Sequence, residues 1–204
     1  MATAFVAQAQ DRLTVSAVPR YDFAAIPGAQ KFEGQTYSNS ELGISLTLPE
    51  CFKVVPAADT TKLAERAKAG TTDRMKEAIN RTHILLNSMC TFPGDASLRA
   101  NVLILAEPVT PGTTSKALAE ANKKNSLPAP NLTLTEDVHS EKLGSQAFEA
   151  IGIDLAAGGS VIKQKYFFMT DANAGLTVIL SVSSDTLLPA MMKGLNTFSK
   201  TKRS

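Results

Sequence analysis

The chain has 204 residues, of which 44% are hydrophobic, and its formal net charge is +2. This length suits a single domain with a substantial core, and so mild a charge argues against nucleic acid as a partner. No apolar run approaches the roughly 18 residues that a membrane-spanning helix needs, so we expect no transmembrane segment.

The first residues are similar to the end of a secretory signal. Residues 2–9 read Ala-Thr-Ala-Phe-Val-Ala-Gln-Ala, and Ala7, Gln8 and Ala9 match the small-x-small rule for cleavage after Ala9. A positively charged start is missing and the apolar part is short, so the alternative is a disordered start rich in Ala and Gln. The signal interpretation predicts an exported bacterial protein, either periplasmic or extracellular.

Residues 12–35 show no hydrophobic period, which predicts an extended arm. The first strand lies within residues 37–48, because its apolar positions alternate with small or polar ones and so describe one buried face. Pro49 ends this strand, since proline has no N–H for the ladder. A second strand covers residues 52–55 and ends before Pro56.

The middle of the chain mixes helices and strands. Residues 59–80 predict two short helices or one bent helix, and residues 82–92 predict a long strand. The run at residues 101–106 is apolar on both faces, which is typical of a central strand. Ser115 is expected to cap a helix that buries Leu118 and Ala121 and that ends near residue 126.

The last third predicts antiparallel hairpins and a closing helix. Strands are expected from residue 132, at 147–155, at 161–169 and at 176–182, and the short turns between the last three carry Gly and Asn. Asp185 is expected to cap the closing helix. Its apolar residues recur at spacings of three and four and form one buried stripe: Leu188, Met191, Met192, Leu195 and Phe198.

The two cysteines lie at opposite ends of predicted strands. Cys51 precedes the second strand, and Cys90 lies near the end of the third, so antiparallel pairing of these strands would bring the two thiols together. A disulfide here would stabilise the fold by about 4 kcal/mol. Two buried free thiols are the alternative. A metal site is not expected, because the sequence has neither CxxC nor a His/Cys cluster.

Three motifs resemble the PsbP-like superfamily, as does the order of the elements. Residues 37–39 (Tyr-Ser-Asn) lead into 43–49 (Gly-Ile-Ser-Leu-Thr-Leu-Pro), similar to the opening strand of the family. Residues 143–147 (Leu-Gly-Ser-Gln-Ala) are similar to the entry to its meander. The third motif runs from 166–168 (Tyr-Phe-Phe) through the next strand into the closing helix. The chain departs from the family at Cys51 and Phe52, where members often have Trp after the proline.

The resemblance implies an α+β fold, an α/β/α sandwich with a mostly antiparallel sheet flanked by helices. It covers residues 37–199 as one domain. Residues 1–36 are then the signal remnant and the N-terminal arm. Residues 200–204 form a basic tail in which Lys200, Lys202 and Arg203 are expected to be solvated.

Candidate chemical residues are few. Residues 160–163 (Ser-Val-Ile-Lys) match SxxK, but they precede a strand, whereas that chemistry needs a helix start. His83 is expected to be structural. His139 lies among Glu136, Asp137 and Glu141, a group that could hold a cation, although the oxygen spacing favours a solvated acidic loop. We assign no catalytic, cofactor-binding or metal residues.

These observations predict an exported, non-enzymatic binding or assembly protein whose partner is a protein or a small ligand. The alternative is a hydrolase or transferase whose active site is assembled only in three dimensions. A deep polar pocket with a perturbed acid or base would favour the enzyme. An exposed apolar groove would favour the binding protein.

Overall fold

The computed structural model describes residues 21–68, 73–92, 94–127 and 129–201. The signal prediction for residues 1–9 lies outside the described residues. The smaller of two antiparallel sheets has the order β1-β2-β3-β11. Its strands are β1 (Gln30–Glu33), β2 (Thr36–Asn39), β3 (Ile44–Thr47) and β11 (Ser199–Lys200).

The larger sheet has seven strands in the order β4-β5-β6-β10-β9-β8-β7, and its neighbouring strands are antiparallel. Its strands are β4 (Phe52–Val54), β5 (His83–Phe92), β6 (Asp95–Pro108), β7 (Leu132–Leu143), β8 (Gln146–Ala157), β9 (Ser160–Asp171) and β10 (Ala174–Val182). The predicted hairpins of the last third form β8, β9 and β10. The predicted apolar strand lies in β6, which is inside the sheet between β5 and β10.

Four α-helices complete the described fold: α1 (Ala57–Lys68), α2 (Asp73–Arg81), α3 (Ser115–Ser126) and α4 (Leu188–Leu195). Helix α3 packs on one face of the large sheet, the outer face, against Ile151, Ile153 and Phe168. Helix α4 and the small sheet cover the opposite, inner face. The α+β class with a mostly antiparallel sheet is therefore confirmed, and the small sheet is an addition that the sequence did not indicate.

The main core lies between the inner face and the small sheet. Apolar side chains at alternate positions of β6 and β10 point into it, as the period of two requires. Phe148 and Phe198 meet edge to face with ring centroids 5.2 Å apart, which fixes the end of the closing helix on the sheet. The inward residues of the two strands are Ala100, Val102, Ile104, Ala106, Leu176, Val178, Leu180 and Val182.

A disulfide joins Cys51 to Cys90, with their Cα atoms 5.0 Å apart. Phe52 pairs with Cys90 in the β4–β5 ladder, so the start of β4 lies beside the end of β5. The bridge holds a strand of only three residues at the edge of the large sheet.

Both predicted capping roles, of Ser115 and of Asp185, belong to the residue before. Thr114 caps α3 by accepting from the N–H of Ala117, and Ser184 caps the 3-10 turn that precedes α4. In α3 the buried residues are Leu118 and Ala119, whereas Ala121 is exposed. In the closing stripe, Met191, Leu195 and Phe198 are buried, and Leu188 and Met192 are only partly buried.

Residues 21–36 differ from the predicted extended arm. Ile26 is fully buried in a short 3-10 helix (Ile26–Ala29), Tyr21 is 7% exposed, and β1 pairs with β2 along four residues. Isolated buried residues and a strand of four residues are too short to produce a hydrophobic period in the sequence. This part of the chain therefore contributes to the main core.

The prediction of a solvated tail is wrong for Lys200. This residue pairs with Ile44 in the ladder of β3 and β11, and its side chain is 13% exposed. Lys202 and Arg203 lie outside the described residues.

Candidate binding cleft

A cleft of about 510 Å³ opens at the β4 edge of the large sheet. Strand β1 borders it on one side through Gln30 and Phe32, and α1 borders it on the other along its length, from Ala57 to Lys68. Its floor is the beginning of β5, from His83 to Asn87. Strand β1 is itself the edge of the small sheet, so edge strands of both sheets face one cleft.

The floor is open because β4 is short. Strand β4 pairs with Ser88, Met89 and Cys90, and the N–H of Val55 then donates to the carbonyl of Asn87 at 2.8 Å. Pro56 follows and has no N–H to continue the ladder, so the chain leaves the sheet and enters α1. No other described strand lies beside β5 on this side, and residues 83–86 therefore face the cleft.

Two large apolar side chains are exposed at this cleft. Phe32 is 42% exposed and Val54 is 49% exposed. The ring of Phe32 lies 5.3 Å from that of the buried Tyr37, which fixes its position at the cleft wall. Single exposed apolar residues are ordinary, but two beside an open strand edge form a surface suited to a partner.

The charged residues among those that line the cleft neutralise each other. Glu65 and Lys68 lie one turn apart on α1 and form an ion pair of 2.7 Å. The described residues that line the cleft therefore carry no net charge.

His83 lies in the cleft wall, where its ring stacks on that of Phe23 with centroids 6.0 Å apart. The strand pairs His83 with Ala106 and so directs its side chain to the inner face. This stacking supports the structural role expected for His83.

The residues around His139 form a charge network on β7, which is a strand and not the acidic loop that we expected. Nδ1 of His139 donates to the carbonyl of Asp137 at 2.8 Å, and Nε2 lies 3.1 Å from Glu141. The bond to the Asp137 carbonyl is the main cause that raises the pKa of His139. Nζ of Lys165 lies 3.1 Å from Glu136 and 2.7 Å from Glu141.

The ammonium group of Lys165 thus occupies the place that a cation would take between Glu136 and Glu141. Asp137 does not join this group, because its carboxylate pairs with Lys123 of α3 at 2.6 Å. Of the four residues that the sequence grouped, the structure brings together Glu136, His139 and Glu141. The ion pairs of Lys165 with Glu136 and Glu141 account for this cluster without a bound metal ion.

The SxxK match has no helical geometry. Ser160 and Lys163 both lie in β9, where residues three apart point to opposite faces. Lys163 instead approaches Asp185 at 3.3 Å and Asp154 at 3.6 Å. The sequence has a second SxxK match, from Ser199 to Lys202, but it ends outside the described residues.

A polar cluster that the sequence did not reveal joins four separate segments. Nζ of Lys200 lies 2.7 Å from Asp171 and donates to the hydroxyl of Tyr21 and the carbonyl of Leu42, each at 3.0 Å. The hydroxyl of Tyr21 donates to Asp171. Burial, and after it this bond to Asp171, raises the pKa of Tyr21. The cluster ties Tyr21 and β11 to the β9–β10 hairpin, which is a structural role.

None of the described helices has the length and apolar character needed to cross a membrane. No family model matches the chain, and no curated protein matches it.

Solved structures are similar to this chain at low sequence identity. One is LpqN of Mycobacterium tuberculosis, described as involved in cell envelope biogenesis, with 14% identity, 78% of this chain and 83% of that chain covered, and a TM-score of 0.48. A protein of Bacteroides thetaiotaomicron has 10% identity over 84% of this chain and 50% of that chain, with a TM-score of 0.44.

A third structure is the cyanobacterial PsbP of Synechocystis, with 12% identity, 82% of this chain and 92% of that chain covered, and a TM-score of 0.49. At these identities the likeness concerns the fold alone. A PsbP structure is thus among those to which the chain is similar.

Proposed function

We propose that this protein is an exported, non-enzymatic binding or assembly protein that holds a partner in the cleft beside β5. The observation that carries the proposal is the exposure of Phe32 and Val54 next to an open strand edge. A partner that covered these side chains would remove apolar surface from water, which is the main driving force of association.

The disulfide supports the exported part of the proposal. Disulfides persist in oxidising compartments such as the periplasm and the extracellular space, and they are rare where thiols are kept reduced. The bond between Cys51 and Cys90 fixes strand β4, whose last residue, Val54, lines the cleft. The disulfide therefore bears on both parts of the proposal, the exported location and the binding site.

Photo-crosslinking in the source cells tests the proposal. A photo-reactive amino acid replaces Phe32 in the full chain, and the matched control places it at Val161, which is 49% exposed on β9. We expect one or a few defined adducts from position 32 that are missing from position 161, and mass spectrometry identifies them. The same adducts from both positions, or none from position 32, would overturn the proposed binding site.

A further inference from the structure

Resting on the proposed function, we propose that the occupant of the cleft is an extended, uncharged peptide segment of a partner protein, which pairs as an added strand along His83–Leu86 of β5. The structure joins three observations here: an open strand edge, described lining residues without net charge, and apolar side chains on one side.

The open edge supplies the backbone chemistry. An added antiparallel strand forms hydrogen bonds to the N–H and C=O groups at a sheet edge, and these bonds give affinity for any chain in the extended conformation. The ladder of β4 ends at Ser88, and Val55 adds one further bond, to Asn87. An incoming strand would therefore continue the position of β4 along the preceding part of β5.

The two walls of the cleft would contact alternate side chains of the added strand. Val54 pairs with Ser88 on the inner face, the side on which Phe32 lies, so one set of side chains would contact apolar surface. On the outer face, Asn87 donates to Thr60 of α1 at 3.2 Å, so the other set would meet the polar start of this helix. This arrangement favours alternating apolar and small polar residues in the occupant.

Charge favours an uncharged segment. Among the described lining residues, the ion pair between Glu65 and Lys68 leaves no net charge, and a charged residue buried against them would lose its hydration without a compensating charge. A register shift between Ile84 and Leu86 interrupts the regular spacing of β5, so the added strand has few registers in which it can pair.

The test selects binders from a displayed library of random ten-residue peptides on the folded, disulfide-bonded full chain. The chain has no Trp, so Phe32→Trp provides one fluorescent reporter in the cleft for titration of each selected peptide. We expect selected sequences to be uncharged and to alternate. N-methylation of alternate backbone amides should weaken binding about tenfold per lost hydrogen bond, whereas methylation of the intervening amides should change it less than about twofold.

Two matched variants locate the site. Ala57 at the start of α1 lines the cleft, and Ala121 lies exposed on α3, so both are exposed helix alanines. We expect Ala57→Arg to weaken the selected peptides about tenfold or more and Ala121→Arg to leave them unchanged, with both melting temperatures near that of the wild type. Equal effects of the two variants, or failure to select any peptide, would overturn the inference.

The outcomes separate this inference from the proposed function. Uniform sensitivity to N-methylation would exclude strand pairing, and selection of charged sequences would exclude an uncharged segment, even if Ala57→Arg blocked binding and crosslinks from position 32 persisted. In that case the cleft binds a partner in another way. Loss of the crosslinks from position 32 would instead remove the proposed function itself.

Discussion

One outer edge of the large sheet is formed by β7, which runs for twelve residues and carries Glu136, His139 and Glu141. The other is formed by β4, whose three residues leave His83–Leu86 of β5 uncovered. Natural sheets protect their edges with charges, irregular pairing or very short edge strands. Strand β7 uses the first two devices, since its pairing with β8 shifts register twice, between residues 134 and 136 and between 136 and 139.

The comparison shows that an additional strand would pair less readily at the β7 edge than at the uncovered part of β5. Pairing at β7 would displace or dehydrate a network in which Lys165 already bridges Glu136 and Glu141. Pairing at β5 would meet an uncharged floor between two walls. Edge protection is therefore complete on one side of the sheet and partial on the other, where the cleft lies.

The largest expected effect comes from removing the disulfide that holds β4. We expect the double variant Cys51→Ala and Cys90→Ala to lower the free energy of unfolding by about 4 kcal/mol, because the bridge closes a long loop in the unfolded chain. Urea denaturation followed by circular dichroism measures this change. Hydrogen exchange should also quicken at Ser88–Cys90, where β4 pairs.

Thiol titration of the denatured, unreduced protein is the control for this prediction. We expect no free thiol in protein recovered from its native compartment. Two free thiols would contradict both the bridge and the exported location.

A smaller effect is expected at the protected edge. A Cβ added at Gly152 would lie 2.8 Å from Oγ1 of Thr135 and 3.0 Å from Cβ of Glu136, so Gly152→Ala must push the irregular part of β7 away from β8. We expect a loss of about 1–3 kcal/mol in unfolding free energy. Gly28→Ala is the control, since nothing lies within 4 Å of its added Cβ. Equal stability of the two variants would show that β7 is not held closely at this point.

The smallest effect is the pH dependence contributed by His139. Its pKa is raised in the folded state, chiefly by the hydrogen bond to the Asp137 carbonyl. The stabilisation is therefore fully present below the ordinary pKa of histidine and is lost as pH rises through the raised value. The side chain is 40% exposed, so we expect less than about 1 kcal/mol. The variant His139→Gln should lack this part of the pH profile.

The variant Lys165→Met tests the cause of the pKa of His139 directly. The positive charge of Lys165 lowers the pKa of His139, so its removal should raise that pKa further in an NMR titration of the imidazole. Lys163→Met is the matched control, because Lys163 pairs with Asp154 and Asp185. Equal shifts in both variants would indicate a general loss of positive charge and not a local network.

Local patterns account for the part of the fold that was predicted. The strands β8, β9 and β10 are joined by short turns rich in Gly and Asn, and each step from sequence to hairpin involves neighbouring residues. Strand β6 was expected from a local run that is apolar on both faces. The small sheet could not be predicted, because it joins β1 and β3 to Ser199 and Lys200 at the far end of the chain.

The cleft could not be predicted from the sequence for the same reason. Phe32, Val54 and His83 lie in three elements, and their meeting depends on how the two sheets pack. His139 was singled out correctly as part of an acidic group, but its neutralising partner, Lys165, comes from β9. Spacing along one strand cannot reveal a cation supplied by another.

The contact of Tyr21 with Lys200 brings the first and last parts of the described chain close together. A short linker between these positions would close the chain without stretching it, so new ends could be opened at an exposed turn such as Gly158–Gly159 to give a circular permutant. The same proximity makes the domain suitable as a guest in a surface loop of another protein, where it would separate the two ends of the host loop very little.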